Sequence, residues 1–220
     1  MPLLPPCLIL LVSLPGVVVS PSSELSLDQV LARNYEARGG IAKLKALRSF
    51  RMVMKFGSED ANFPMTIEAR RPGCFRAEMD IRGAKIIQGF DGHSGWVLNV
   101  FSGKPGPQPM TQPELAQAEL QSDMDGPLVD WKAKGHRLEL IGRESLPEGE
   151  ALKLKLTLRS GQEIMTYLDA QTYLEVKQVT TRKLEGKDVE GESFYGDYRN
   201  IQGIVFPFRM ESAPKGSTKR

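Results

Sequence analysis

Alternation of apolar and polar residues, repeated in one short segment after another, limits what this chain can fold into more than any other feature. Phe50, Met52, Met54 and Phe56 occupy one phase, with Arg51 and Lys55 in the other. Phe63, Met65, Ile67 and Ala69 repeat it against Glu68 and Arg70, and Phe75, Ala77, Met79 and Ile81 repeat it against Arg76, Glu78 and Asp80. A period of two puts all apolar side chains of a strand on one side, so these segments predict strands with one dry and one wet face. Pro72-Gly73, Arg82-Gly83 and Asp91-Gly92 mark the turns, and Trp96, Leu98 and Val100 carry the apolar phase of the next strand. A second run starts at Leu138 and Leu140 and contains the cleanest alternation, Leu152, Leu154, Leu156 and Leu158 against Lys153, Lys155 and Arg159. Ser160-Gly161 closes a hairpin, and strands follow over 164–168, 173–181, 189–198 and 204–210. Pro207 assigns the last of them to a sheet edge, because it cannot donate to a ladder.

Helical signals are few. Ser26 and Gln29 make a capping box before Val30 and Leu31, and Gly39-Gly40 stops that helix; a short helix over 41–47 follows. Thr111 and Glu114 make a second capping box after the Gly/Pro-rich loop 102–109, opening a helix to about Met124. One or two helical turns over 128–132 complete the insert before Gly135. About ten or more strands must twist and curl, and one apolar face with so few helices predicts a curved sheet wrapped around them. The fold class is α+β, mainly β: one strongly curved antiparallel sheet with a few helices on its concave face. No repeat and no linker divides residues 24–211, which read as a single domain followed by a small, polar, basic tail at 212–220.

Residues 3–19 are apolar, yet Pro5, Pro6 and Pro15 interrupt them, and the run falls short of the roughly 20 residues of a membrane span. Residues 1–22 read as a secretory signal peptide, though one lacking a basic start. Its removal would take Cys7 and leave Cys74 alone, so the exported domain would depend on its core rather than on a disulfide.

Composition excludes more than it proposes. Lys+Arg 29 against Asp+Glu 27 is too balanced for a protein whose affinity rests on phosphate neutralisation, so no nucleic-acid partner is expected. Two histidines and two cysteines offer little for a metal centre or a thiol–imidazole catalyst. The stretch from Asp91 through His93 to Trp96 reads as a hairpin loop, Asp123, Asp125 and Asp130 lack calcium-loop spacing, and His136 reads as structural. No nucleophile–base pair emerges, so no enzyme, no cofactor and no metal are expected. The nine methionines bear on binding instead, because Met52, Met54, Met65 and Met79 share the apolar phase. Methionine is pliable enough to fit ligands of varied shape, and equally serves as core filler. The candidate apolar wall is Phe50, Met52, Met54, Phe56, Met65, Ile67, Phe75, Met79, Trp96, Leu98, Leu115, Leu154 and Leu156. Loop 102–109 and the helix after Thr111 are the candidate lid.

In this order of elements the chain resembles the outer-membrane lipoprotein-sorting family, relatives of the periplasmic carriers LolA and LolB. The resemblance is carried by residues 35–56, 89–115, 125–142, 167–177 and 194–211. Its phrases include Asp91-Gly92 with Gly95-Trp96, the run 125–130 (DGPLVD), and Phe206-Pro207 with Met210-Glu211. The resemblance implies a half-barrel enclosing a hydrophobic cavity, with lipid or lipoprotein acyl chains as ligand and membrane-associated proteins as partners. It also implies a monomer in the periplasm, at or near the outer membrane. LolB-type relatives are lipid-anchored, and no suitable cysteine follows the signal here. An arginine that holds the helical lid belongs to the LolA pattern; Arg51 and Arg76 lie on early strands, and no motif matches either to it. The alternative is a sensor or regulatory module that uses the same fold for protein interaction without lipid transport.

Overall fold

The computed structural model describes residues 25–58, 62–184 and 187–217, with side chains at all of these except 182–184 and 187–188. The expected signal peptide and the 59–60 loop lie outside the described residues. The capping-box helix is α1 (Leu27–Ala37), in which Ser26 and Gln29 satisfy each other's backbone groups. Gly39 follows it at φ 107°, where a Cβ would lie 2.1 Å from the carbonyl oxygen of Gly203, so only glycine lets the chain turn this tightly against its neighbour. Next comes α2 (Ile41–Ala46), then β1 (Ser49–Gly57), β2 (Asn62–Arg70), β3 (Cys74–Ile81), β4 (Ala84–Phe90), β5 (Gly95–Asn99) and the two-residue β6 (Gln108–Pro109). The second capping box, Thr111 with Glu114, opens α3 (Gln112–Ser122). The expected helical turn at 128–132 is absent: 127–135 is a run of turns without a helix. Then follow β7 (Arg137–Leu146), β8 (Gly149–Thr157), β9 (Glu163–Asp169), β10 (Glu175–Leu184), β11 (Lys187–Ile201) and β12 (Ile204–Pro214).

These strands make an α+β, mainly β fold of open antiparallel sheets. The ladder is divided in two, six strands in the order β1 to β6 and six in the order β12 to β7. β1 and β12 are therefore edge strands, as Pro207 predicts for the latter. The two edges meet where Phe50 and Phe206 bring their rings to 6.4 Å between centroids. The last strand also outruns its expected end at Met210, since Ser212 pairs with Ser193 and Pro214 with Gly191. Polar residues continue a strand where the partner offers a ladder, which hydropathy alone does not reveal.

One helical layer serves both sheets. Val30 and Leu31 of α1 pack on Leu152, Leu154, Leu156, Ile164 and Leu168 of β8 and β9. Leu115 and Ala118 of α3 pack on Phe75, Phe90 and Met110. Between them Leu44 of α2, Val129 of the crossing segment and Ile204 of β12 form a third core. Burying such side chains contributes roughly 1.5–3 kcal/mol each, enough to hold the layer against both ladders.

Candidate ligand-binding face

Directly opposed residues of neighbouring strands share a face. The pairing Phe50–Ala69–Phe75–Phe90 forms the row nearest the helices, and there Phe75 and Phe90 are buried beneath α3. The next row is Met52–Ile67–Ala77–Gln88–Val97, and the one beyond it Met54–Met65–Met79–Ile86–Asn99. Burial falls away along this direction. Met52, Met54, Met65, Met79 and Ile86 are only half-buried, and Phe56, at the far end of β1, is 55% exposed. On the adjoining edge Met210, opposite Tyr195, is 54% exposed. A half-exposed face of pliable thioether side chains thus runs from the α3 core to the open end of the first sheet.

The wall residues read from the sequence separate into three groups. Phe50, Met52, Met54, Phe56, Met65, Ile67, Phe75 and Met79 come together on this inner face, with Leu115 of α3 beside them. Leu154 and Leu156 lie on the second sheet, each at 0% exposure in the α1 core. Trp96 and Leu98 are on the opposite side of the first sheet. Trp96 pairs with Gly89, and Leu98 with Ile87 and hence with Glu78, while Val97 and Asn99 take the inner positions. An outward tryptophan and leucine outvoted Val97 in the period count, and the register corrects the phase. Gly89 makes room for the indole: a Cβ there would stand 2.6 Å from the Trp96 ring.

Polar contacts fasten the helical layer over the sheets. The Arg71 guanidinium donates to both carboxylate oxygens of Asp125, at 2.9 and 2.6 Å. It also donates to the carbonyls of Leu47, at 2.7 Å, and Leu44, at 3.0 Å. One side chain at the end of β2 thereby satisfies the C-terminal carbonyls of α2 and anchors the crossing segment. The hydrogen bond from Arg71 holds the Asp125 carboxyl below its ordinary range despite burial. Asp130 and Asp123 each meet a different lysine, Lys45 and Lys134, both at 2.6 Å. These three aspartates are struts of the helical layer. By contrast Arg51 of β1 and Arg76 of β3 both reach Glu68 on the outer face. Arg71 escapes a sequence reading because its partners lie 24 to 54 residues away.

A second polar cluster lies beneath α1. Arg38, at the end of that helix, is near Glu175 at the start of β10, and burial lowers the Arg38 pKa. Burial pushes the Glu175 carboxyl up to about 7, and its Oε1 has no hydrogen-bond partner. The hydroxyl of Tyr198 donates to the Glu175 backbone carbonyl. Asn34, also buried, donates to the Tyr173 carbonyl at 2.8 Å. The histidines are occupied otherwise. His136 Nδ1 accepts from the Arg159 backbone at 3.1 Å, and the loop at His93 is closed by Asp91, which accepts from the backbone N–H groups of His93 and Ser94. Among the described residues no group of three or more His, Cys, Asp or Glu could hold a metal ion, and no helix is long and apolar enough to cross a membrane.

No protein-family model matches the chain, and no curated protein sequence matches it. Solved structures do. A LolA superfamily protein from Nitrosomonas europaea is similar with a TM-score of 0.54 at 14% identity, over 89% of this chain and 88% of the other. A DUF1329 family protein from Desulfovibrio piger is similar with a TM-score of 0.51 at 13% identity, over 82% and 85%. At such identities the likeness speaks to architecture, and the architecture is LolA-like.

Proposed function

Starting from that LolA-like fold, we propose that the protein binds hydrophobic ligands on the methionine-lined inner face of the first sheet. It acts as a periplasmic carrier or chaperone of lipid or lipoprotein acyl chains in outer-membrane sorting. The single observation that carries this reading is the half-buried row Met54–Met65–Met79–Ile86, apolar yet left uncovered beyond α3. Each buried methylene is worth about 0.8 kcal/mol, so an acyl chain gains on the order of ten kcal/mol by leaving water. A wall that is soft and open at one end shelters such a chain without trapping it. The domain expected over 24–211, which β12 carries on to Pro214, works as one exported unit, monomeric, with membrane-associated proteins as donor and acceptor.

A second reading, a sensor or regulatory module without transport, draws on the second sheet, whose leucines are already filled by α1. Organic extraction and mass spectrometry of protein purified without detergent separate the two. Co-purifying acyl lipid, lost in Met54→Asp, is the outcome expected of a carrier. A reproducibly empty protein that also takes up no added lipid overturns it and leaves the interaction module.

A further inference from the structure

The outer faces of the two sheets carry their charges differently. On the second, cation and carboxylate are matched one to one at close range: Lys153 with Glu144, Lys155 with Glu163 and Lys177 with Glu192, each at 2.7 Å. On the first they are not. Directly opposed residues of β1, β2 and β3 form two adjacent outer rows, Ser49–Arg70–Cys74 and Arg51–Glu68–Arg76. Glu68 is shared loosely by Arg51 at 3.4 Å and Arg76 at 3.9 Å. The firmer partner of Arg76 is Glu78 at 2.5 Å, and Lys85 reaches that same carboxylate at 2.6 Å. Arg70 meets no carboxylate among the described residues. On the outer face of β1 to β4, Arg51, Lys55, Arg70, Arg76 and Lys85 stand against Glu68, Glu78 and Asp80, a surplus of two positive charges.

The surplus collects around a hollow. Residues 49–51, 68–70 and 74–76 line a cavity of about 460 Å³. Ser49 and Cys74 are too short to fill it, and the Cys74 thiol turns to the carbonyls of Pro72 and Asp91, at 3.6 and 3.8 Å. Three guanidinium groups repel one another across this space, and one shared carboxylate offsets only part of that repulsion. A guanidinium presents a planar fork of N–H donors that fits phosphate oxygens two at a time. A carboxylate ligand would neutralise a single charge, whereas a phosphate monoester carries about −1.5 to −2 at neutral pH and matches the surplus. We infer that the outer face of β1 to β3 holds a binding site for a phosphate monoester, with Arg70 as its central contact and Arg51 and Arg76 at its flanks. The cavity is large enough to take the esterified group beside the phosphate. The site lies on the opposite face of the sheet from the methionines and does not depend on the carrier reading.

Two sources present this group, a soluble ester and the head of a monoester lipid in a bilayer. Calorimetric titration of the full exported chain with glycerol 3-phosphate at about 20 mM ionic strength, where surface charges are weakly screened, tests the first. It is expected to bind about tenfold or more tightly than acetate or glycerol. Arg70→Gln should lose about tenfold, and Arg70→Lys, which keeps the charge without the fork, should lose less. Arg209→Gln, at an exposed arginine of β12, should lose nothing. Co-sedimentation with phosphatidylcholine vesicles, with and without phosphatidic acid, tests the second source. Retention that requires phosphatidic acid and falls in Arg70→Gln assigns the site to a lipid head, and ester binding without such retention assigns it to a soluble ester. Ester binding no tighter than acetate together with no Arg70-dependent retention overturns the site, as do equal losses in Arg70→Gln and Arg209→Gln. Met54→Asp should leave phosphate binding intact while removing acyl lipid, so failure here is distinct from failure of the carrier reading.

Discussion

The two sheets carry the same alternation and use it differently. In the second, the alternating leucines of β8 meet α1 and vanish from solvent; Leu154 and Leu156 are wholly buried. In the first, the alternating methionines of β1 to β3 extend past α3 and stay half in water. Leucine has defined rotamers and packs to a fixed shape, whereas methionine adapts, so the choice of side chain matches the degree of cover. An amphipathic strand is a promise of burial, and a partner must keep it. Where a helix is the partner the face becomes core, and where none is present it stays half exposed.

Stability measurements can break this contrast. Leu154→Ala should cost about 4 kcal/mol in urea unfolding, because it removes a fully buried side chain from a packed core. A cost comparable to that of Met54→Ala would erase the distinction between the sheets. The second effect is a pH dependence from beneath α1. The Glu175 carboxyl has an ordinary value of 4.5 and is pushed up to about 7 in the fold, so the folded state holds its proton more tightly than the unfolded chain does. The stability this contributes is complete below about pH 4.5 and is lost as pH rises through about 7, an amount on the order of 3 kcal/mol. Glu175→Gln should flatten that part of the pH–stability curve; a wild-type curve already flat between these limits would contradict the buried carboxyl.

Smaller effects sharpen the comparison. Arg71→Met should cost about 2 kcal/mol, less than for a fully buried pair because Arg71 is partly solvated, and should loosen both α2 and the crossing segment. Protease susceptibility at 123–136 is the measurement, and cleavage no faster than in the wild type would remove Arg71 from its role as clamp. The Asp125 pKa is lowered, so the stability it supplies is present above its ordinary value of 3.8 and fades as pH falls through its folded value. Last, Met54→Asp should cost only about 1 kcal/mol of stability while abolishing lipid uptake, and Lys55→Asp on the exposed phase should change neither beyond about 0.5 kcal/mol. Equal effects at both positions would mean that the two faces of β1 are not distinct.

Much of this is legible before folding. The capping boxes at Ser26 and Thr111 locate two helices, because each is a local exchange of hydrogen bonds. Alternation locates most strands and, in β1 to β3, the correct inner face. It misleads in β5, where Trp96 is accommodated on the outer face by the absence of a side chain at Gly89 on another strand. It is silent on β12 beyond Met210, whose ladder depends on Ser193 and Gly191 across the sheet. Nor does it reveal Arg71, since nothing near it in the chain explains an arginine meeting Asp125 and two helix carbonyls.

The sequence by itself determined the antiparallel strands, the helix starts and the inner side of the methionine segments, because period, caps and turns act over a few residues. Tertiary structure alone decided that the ladder splits between β1 and β12, that α1 covers the inner face of one sheet, and that the inner face of the other stays half exposed beyond α3. Those outcomes depend on which distant surfaces meet, and the free energy of burial is set by the partner as much as by the residue that is buried.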